Sequence, residues 1–201
     1  MPIAFTETPP LSVPLDPPRK VWTRAECTAL EESGLLDGQH LELVEGDLIN
    51  KMGKKRPHVN SLTLLMAWLV QVFGARFVQQ EAPIDVAPED NPTNEPEPDG
   101  IVLRRELSNF LSANPGPEDL RLVVEVADTS LYFDLKKKAA LYARAGIVEY
   151  WILDVPGRRL LVHRDPQGGK YSSVVAFGED ESVAPLAAPH AEFRVRDAFP
   201  A

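Results

Sequence analysis

The sequence holds one cysteine, Cys27, in 201 residues. A lone thiol builds neither a disulfide framework nor a thiolate zinc site, which sets aside small cross-linked secreted folds and zinc ribbons. Long apolar runs are missing too. The longest candidate, Leu62 to Phe73, is interrupted by Thr63 and Gln71 and falls short of the roughly 18–20 residues that a membrane span needs. The N-terminus has no basic stretch followed by an apolar one, so the chain reads as cytoplasmic, with no secretory signal and no membrane partner. Positive charge is scarce: 21 Lys and Arg stand against 30 Asp and Glu, a formal net charge of −9. That excludes a protein that coats nucleic acid through a wide basic face. It leaves room for an enzyme whose carboxylates do chemistry while a local basic cluster holds phosphate. Three common patterns are also absent: a Walker loop, a dinucleotide-binding glycine run and a Gly-x-Ser-x-Gly elbow.

What is present fits a globular α/β chain. Hydrophobic residues make up 44% and charged residues 25%, and the length suits one domain with a full core. Six prolines in residues 1 to 18 mark an extended leader, so the expected division is a disordered segment 1–20 and a single domain 21–200. Thr23 and Glu26 fit a capping box for a short helix using Ala25, Leu30, Leu35 and Leu36. His40 to Asn50 reads as a hairpin turning at Glu45-Gly46. Pro57 to Phe73 has helical apolar spacing at Leu62, Leu65, Met66, Leu69, Val70 and Phe73, and Gly74 ends it. Strands are expected at Arg76–Val86, Gly100–Leu103, Leu120–Val126 and Glu149–Val155, with a loop or partial helix between Arg105 and Asp119. Asp134 to Ala145 reads as a helix stopped by Gly146. A final hairpin pairs Leu160–His163 with Tyr171–Phe177. Two basic clusters stand out: Lys51, Lys54, Lys55 and Arg56, then Lys136, Lys137 and Lys138. The order of elements implies a mixed central sheet flanked by helices, with extra β-hairpins.

Asp99 follows Pro98 and opens a short apolar strand; Glu125 lies in the run Leu122-Val123-Val124-Glu125-Val126. A carboxylate there must be paired or bind a metal, and an ion pair to Lys or Arg satisfies burial equally well. Two carboxylates at neighbouring strand ends repel, and a divalent cation removes the conflict. Magnesium takes one or two carboxylates with waters and phosphate oxygens. Asp134, Lys138 and Tyr142 recur at every fourth position on one helix face, which fits either a group of functional side chains or a surface Asp–Lys pair. Asp128 competes with Glu125 as a ligand, or forms a turn with Thr129 or Ser130. Tyr150, Trp151, Trp68 and Cys27 read as packing residues, and Asp154 as the start of a turn.

Pro98-Asp99 followed by Glu125 resembles the PD-(D/E)XK nuclease superfamily. Five stretches in order resemble, more narrowly, the Uma-type bacterial endonucleases: Leu41 to Leu48, Pro57-His58, Pro98-Asp99, Val124 to Ser130, and Asp134 to Asp154 with Ala145-Gly146 and Glu149-Tyr150-Trp151. The likeness runs from about Thr23 to Phe177. It implies a restriction-endonuclease-like core and a DNA endonuclease dependent on Mg²⁺ or Mn²⁺. Asp99 and Glu125 would be metal ligands, Glu42 a third acid, Lys138 the charge-stabilising group, and His58 and Tyr142 substrate contacts. One departure stands out: the lysine usual two residues after Glu125 is replaced by Ala127. The Uma-type pattern supplies it from the next helix, at Lys138, with Lys137 as a competitor. Two rivals accompany this reading: a non-catalytic binding protein with a vestigial metal site, and a metal-dependent hydrolase of a small phosphorylated substrate. A homodimer suits an enzyme that cuts two strands.

Overall fold

In a computed structural model, residues 18–51 and 55–200 are described. Most of the expected leader, residues 1–17, and Lys54 of the first basic cluster lie outside them. Helix α1 (Arg24–Glu32) begins with the expected capping box, Thr23 accepting from the Glu26 amide while the Glu26 carboxylate accepts from the Thr23 amide. It ends earlier than its apolar pattern suggests. Leu35 falls in the following turn and is 68% exposed, because Gly34, at φ +75°, has already broken the helix.

Strands β1 (Leu41–Val44) and β2 (Asp47–Asn50) form the hairpin, turning through Glu45 and Gly46, both at positive φ. Two successive left-handed residues match the twist of tight antiparallel hairpins, and glycine takes the second place without strain. The pair stands apart from the main sheet. It is joined to the chain ahead of Asp99 by a bridge between Leu43 and Glu95. Helix α2 (Arg56–Phe73) carries Pro57 in its first turn and stops at Gly74. Its stripe of Leu62, Leu65, Met66 and Leu69 is buried, while Val70 is largely exposed and drops out of the expected core.

The main sheet has the order β3-β4-β5-β6-β7-β8, from β3 (Val78–Gln80), β4 (Gly100–Leu103), β5 (Leu120–Ala127), β6 (Glu149–Asp154), β7 (Arg159–Gln167) and β8 (Lys170–Gly178). All neighbours run antiparallel except β5 and β6, which are parallel. A parallel pair needs a crossover, and residues 131–144 supply it as α3 (Leu131–Phe133), a π-helical turn (Asp134–Lys138) and α4 (Ala139–Arg144). The helix thus starts three residues before the expected Asp134. Alternation along β5 divides the core. Leu122, Val124 and Val126 pack on the side of α2, with Trp151 and Leu153, whereas Val123 and Ala127 face the crossover, with Ile152, Leu141 and Tyr142. Glu125 therefore points under the crossover helix.

The strand expected at Arg76–Val86 is only Val78–Gln80; Glu81 takes a positive φ and the chain leaves the sheet edge. Between Arg105 and Asp119 two short 3₁₀ turns form, Leu107–Asn109 and Pro117–Asp119. The C-terminal segment adds β9 (Ser182–Val183) and β10 (Phe193–Arg194), and Phe193, Val195 and Phe199 close the α2 side of the core. The Trp68 ring stacks on Trp151 and meets Phe193 at 4.8 Å between centroids. Glu149, fully buried, ties this segment down: its carboxylate accepts from Arg164, from Trp151 Nε1 at 3.0 Å and from the Leu186 amide at 2.8 Å.

Gly46 anchors the outlying hairpin. Its amide donates to the Thr93 carbonyl at 2.9 Å and its carbonyl accepts from Trp22 at 2.8 Å; a Cβ there would collide with Val21. Gly46→Val combines a left-handed backbone with overpacking and should lower unfolding free energy by about 2–3 kcal/mol, read by urea denaturation. An unchanged midpoint would mean that the hairpin is not packed against residues 21–22.

Candidate active site

The antiparallel register sets Gly100 beside Val124 and Ile101 beside Val123. Followed one step further, it brings Asp99 alongside Glu125 at the end of the β4–β5 ladder. Asp99 is held there by its own backbone-like bond, Oδ2 accepting from the Val126 amide at 2.8 Å. Lys138, at the end of the π-helical turn, lies above them. Its Nζ donates to Glu125 Oε1 at 2.7 Å and is 2.9 Å from Glu42 Oε2. The Tyr142 hydroxyl, one helical turn on, donates to the same Glu125 oxygen at 3.2 Å. Glu42 arrives from β1, and its Oε2 also accepts from the Glu97 amide at 3.2 Å. His58, in the first turn of α2, has Nε2 3.5 Å from Asp99 Oδ1 and forms no hydrogen bond through that atom among the described residues.

Glu42, His58, Asp99, Glu125 and Lys138 line one cavity of about 350 Å³. Five of the six residues expected at the site thus share its wall. Tyr142, expected against substrate, is fully buried and reaches the cavity only through Glu125. The Asp–Lys pair on the helix face is not a surface pair, since Asp134 and Lys138 are each only 2% exposed. Lys137 is exposed, and Lys138 is the helix lysine that meets Glu125. Asp128 lines the cavity, and Ser130, its expected turn partner, donates instead to Asp134 Oδ2 at 2.6 Å. Asp134 is a buried wall residue absent from the expected site; its spacing to Lys138 and Tyr142 was the legible signal. At the mouth, Lys51 donates to the Glu97 carbonyl at 2.7 Å and Lys55 is exposed.

Negative charge is in excess. Among the described residues five acids, Glu42, Asp99, Glu125, Asp128 and Asp134, line the cavity with one buried ammonium, Lys138. Burial, reinforced by Asp99, Asp134 and Glu42, pushes the Glu125 carboxyl up to about 8 despite the attraction of Lys138. Burial likewise pushes Asp134 up to about 6. Tyr142 is driven well above its ordinary range, chiefly by burial, so it stays a neutral donor. Lys138, desolvated but ringed by Glu125, Tyr142 and Glu42, is held well above the usual lysine value and stays an ammonium. A divalent cation suits this surplus. The donors are oxygens, which fits a hard ion. Among the described residues no three His, Cys, Asp or Glu side chains make a protein-only cage. Asp99 and Glu125 are two neighbouring buried carboxylates that present hard oxygen donors to the cavity.

The metal-free protein should lose stability as pH rises. Glu125 and Asp134 bind their protons more tightly folded than unfolded, so stability is full below the unfolded carboxylate range and drains away up to about 8. The loss should amount to at most roughly 5 kcal/mol for Glu125. Glu125→Gln should flatten the slope between pH 5 and 8 in chemical denaturation; an equal slope in both proteins would place the proton elsewhere.

Residues 25–196 match the family model of Uma2, described as "Putative restriction endonuclease", and the chain belongs to that family. Among solved structures, it is similar to "a putative nuclease belonging to DUF820" from Anabaena variabilis ATCC 29413. The two share 17% identity over 80% of this chain and 90% of the other, with a TM-score of 0.61. At that identity the likeness speaks for the fold, which is of the restriction-endonuclease-like kind. No curated protein matches the sequence.

Proposed function

We propose that this Uma2-family chain is a metal-dependent DNA endonuclease, with Asp99 and Glu125 as the carboxylates that hold Mg²⁺ or Mn²⁺. The observation that supports it is the meeting of Glu42, Asp99, Glu125, Lys138 and His58 around one cavity, from five separate segments of the chain. The bound ion supplies an activated water and neutralises charge on the phosphate under attack. The chain's own residues do the rest. Asp99 is fixed by the Val126 amide, and Glu125 by Tyr142 and Lys138. Lys138 brings an ammonium to the wall of the cavity, where charge on a transferring phosphate builds up. His58, with Nε2 3.5 Å from Asp99 Oδ1 in the same wall, serves as a contact for a phosphate oxygen or for water. Glu42 completes the acidic set from the hairpin. Tyr142, placed behind Glu125, serves substrate through that carboxylate. Lys51 and Lys55 at the mouth offer a local positive rim on an otherwise acidic protein.

One observation favours the non-catalytic rival: Lys138 already sits between two of the acids, so part of their charge is neutralised without a metal. The discriminating experiment uses supercoiled, linear and single-stranded DNA with Mg²⁺, Mn²⁺ or EDTA. Cleavage should need the metal and fall by at least about 100-fold in Asp99→Ala and Glu125→Ala. Cleavage that survives both substitutions would move the chemistry to another site. Absence of cleavage in every lane would favour the binding protein.

A homodimer would offer two related sites to two strands. Sedimentation at micromolar concentration should give a species of twice the chain mass; a purely monomeric boundary would remove this part of the proposal.

A further inference from the structure

Lys138 does not simply border the acids; it is wedged between two of them. Its Nζ is 2.7 Å from Glu125 Oε1 and 2.9 Å from Glu42 Oε2, and all three residues are at least nine-tenths buried. Glu42 is independently anchored to the 97 backbone, so its carboxylate keeps its place when the ammonium shifts. Glu125 is anchored by Tyr142 as well. An ammonium in this position does, in part, what a divalent cation does: it lets buried carboxylates stay together. A metal ion and the ammonium compete for Glu125, because two positive ions sharing a buried carboxylate repel.

Building on the metal-site reading above, we propose that Lys138 is an internal counter-cation that bridges Glu42 and Glu125 when no metal is bound, and withdraws onto Glu42 when the metal takes Glu125. Glu42 is then a positioning residue: it acts through Lys138, as the ammonium's resting partner, and is not a metal ligand. Metal uptake and lysine release become one event. The ammonium freed from Glu125 turns to the phosphate only in the loaded site, so the ion precedes productive substrate binding. The arrangement also explains how a lysine supplied by a helix, rather than by the strand position held by Ala127, finds a fixed place: it is held by two carboxylates from different elements.

The test is Mn²⁺ calorimetry on full-length protein, with folding checked by circular dichroism. Lys138→Met should bind Mn²⁺ about tenfold or more tightly than the parent, because the competing charge is gone. Glu42→Gln should weaken binding several-fold in the parent, where the ammonium loses its refuge. In the Lys138→Met background the same substitution should have less than half that effect. If Lys138→Met does not fold without metal, Lys138→Gln carries the same comparison. Unchanged or weaker binding in the lysine variants would overturn the proposal. So would an equal loss from Glu42→Gln with and without Lys138, which would make Glu42 a ligand. Asp99→Ala separates the two levels. Parent protein that takes up no Mn²⁺, or Asp99→Ala that binds it like the parent, would defeat the metal-site reading itself.

Discussion

The structure turns on a carboxyl group placed where charge is expensive. Glu125 sits in the middle strands of the sheet, beneath the crossover helix, and its carboxylate is kept there by Lys138 and Tyr142. Removing two ions from water costs several kcal/mol each, and mutual attraction offsets it only when geometry and further hydrogen bonds are good. That condition dictates much of the surrounding design. After the short α3, the crossover makes a π-helical turn that ends on Lys138. Such insertions occur at functional sites far more than in ordinary helices. Glu42 is delivered by a hairpin outside the main sheet, so a third element must dock before the ammonium is fully paired. A purely apolar interior would be more stable and would hold nothing.

Much of this was legible in the residues. The apolar stripe of α2, the capping box at Thr23, the Glu45-Gly46 turn and the run Leu120–Val126 each follow from a local rule that the structure respects. The crossover between parallel β5 and β6 was legible only as order, helix after buried strand. Five site residues share one cavity because strand alternation and helical spacing fix where side chains point. What escaped was non-local. Nothing near Glu149 says that its carboxylate will gather Arg164, Trp151 and the Leu186 backbone. The short β9 and β10 exist only because Phe193 finds Trp68 and Trp151. Arg76–Val86 reads as a long strand by composition, yet only three residues form one, because Glu81 takes a positive φ and turns the chain off the sheet edge. The burial of Asp134 was likewise a matter of what lies opposite, with Lys138 and Ser130 supplying its environment.

The acidic character of the chain and the reading as a nuclease are compatible once charge is considered locally. Five carboxylates line the cavity, while Lys55 beside it is exposed and Lys51 is half-buried. A polyanion at this surface meets attraction at Lys55 and repulsion from the carboxylates deeper in the cavity.

The spacing of the parts along the chain also sets an order of assembly. Glu125 and Lys138 are 13 residues apart, whereas the Glu42–Glu97 bond closes a span of 55. Loop-closure entropy rises with span by roughly 1 kcal/mol over that ratio, and local contacts form sooner in folding. The strand–helix half therefore closes first, carrying its own neutralising lysine, and the hairpin half arrives later. A full-length chain refolding passes through a stage in which Glu125 is already paired with Lys138 and Glu42 has not yet docked.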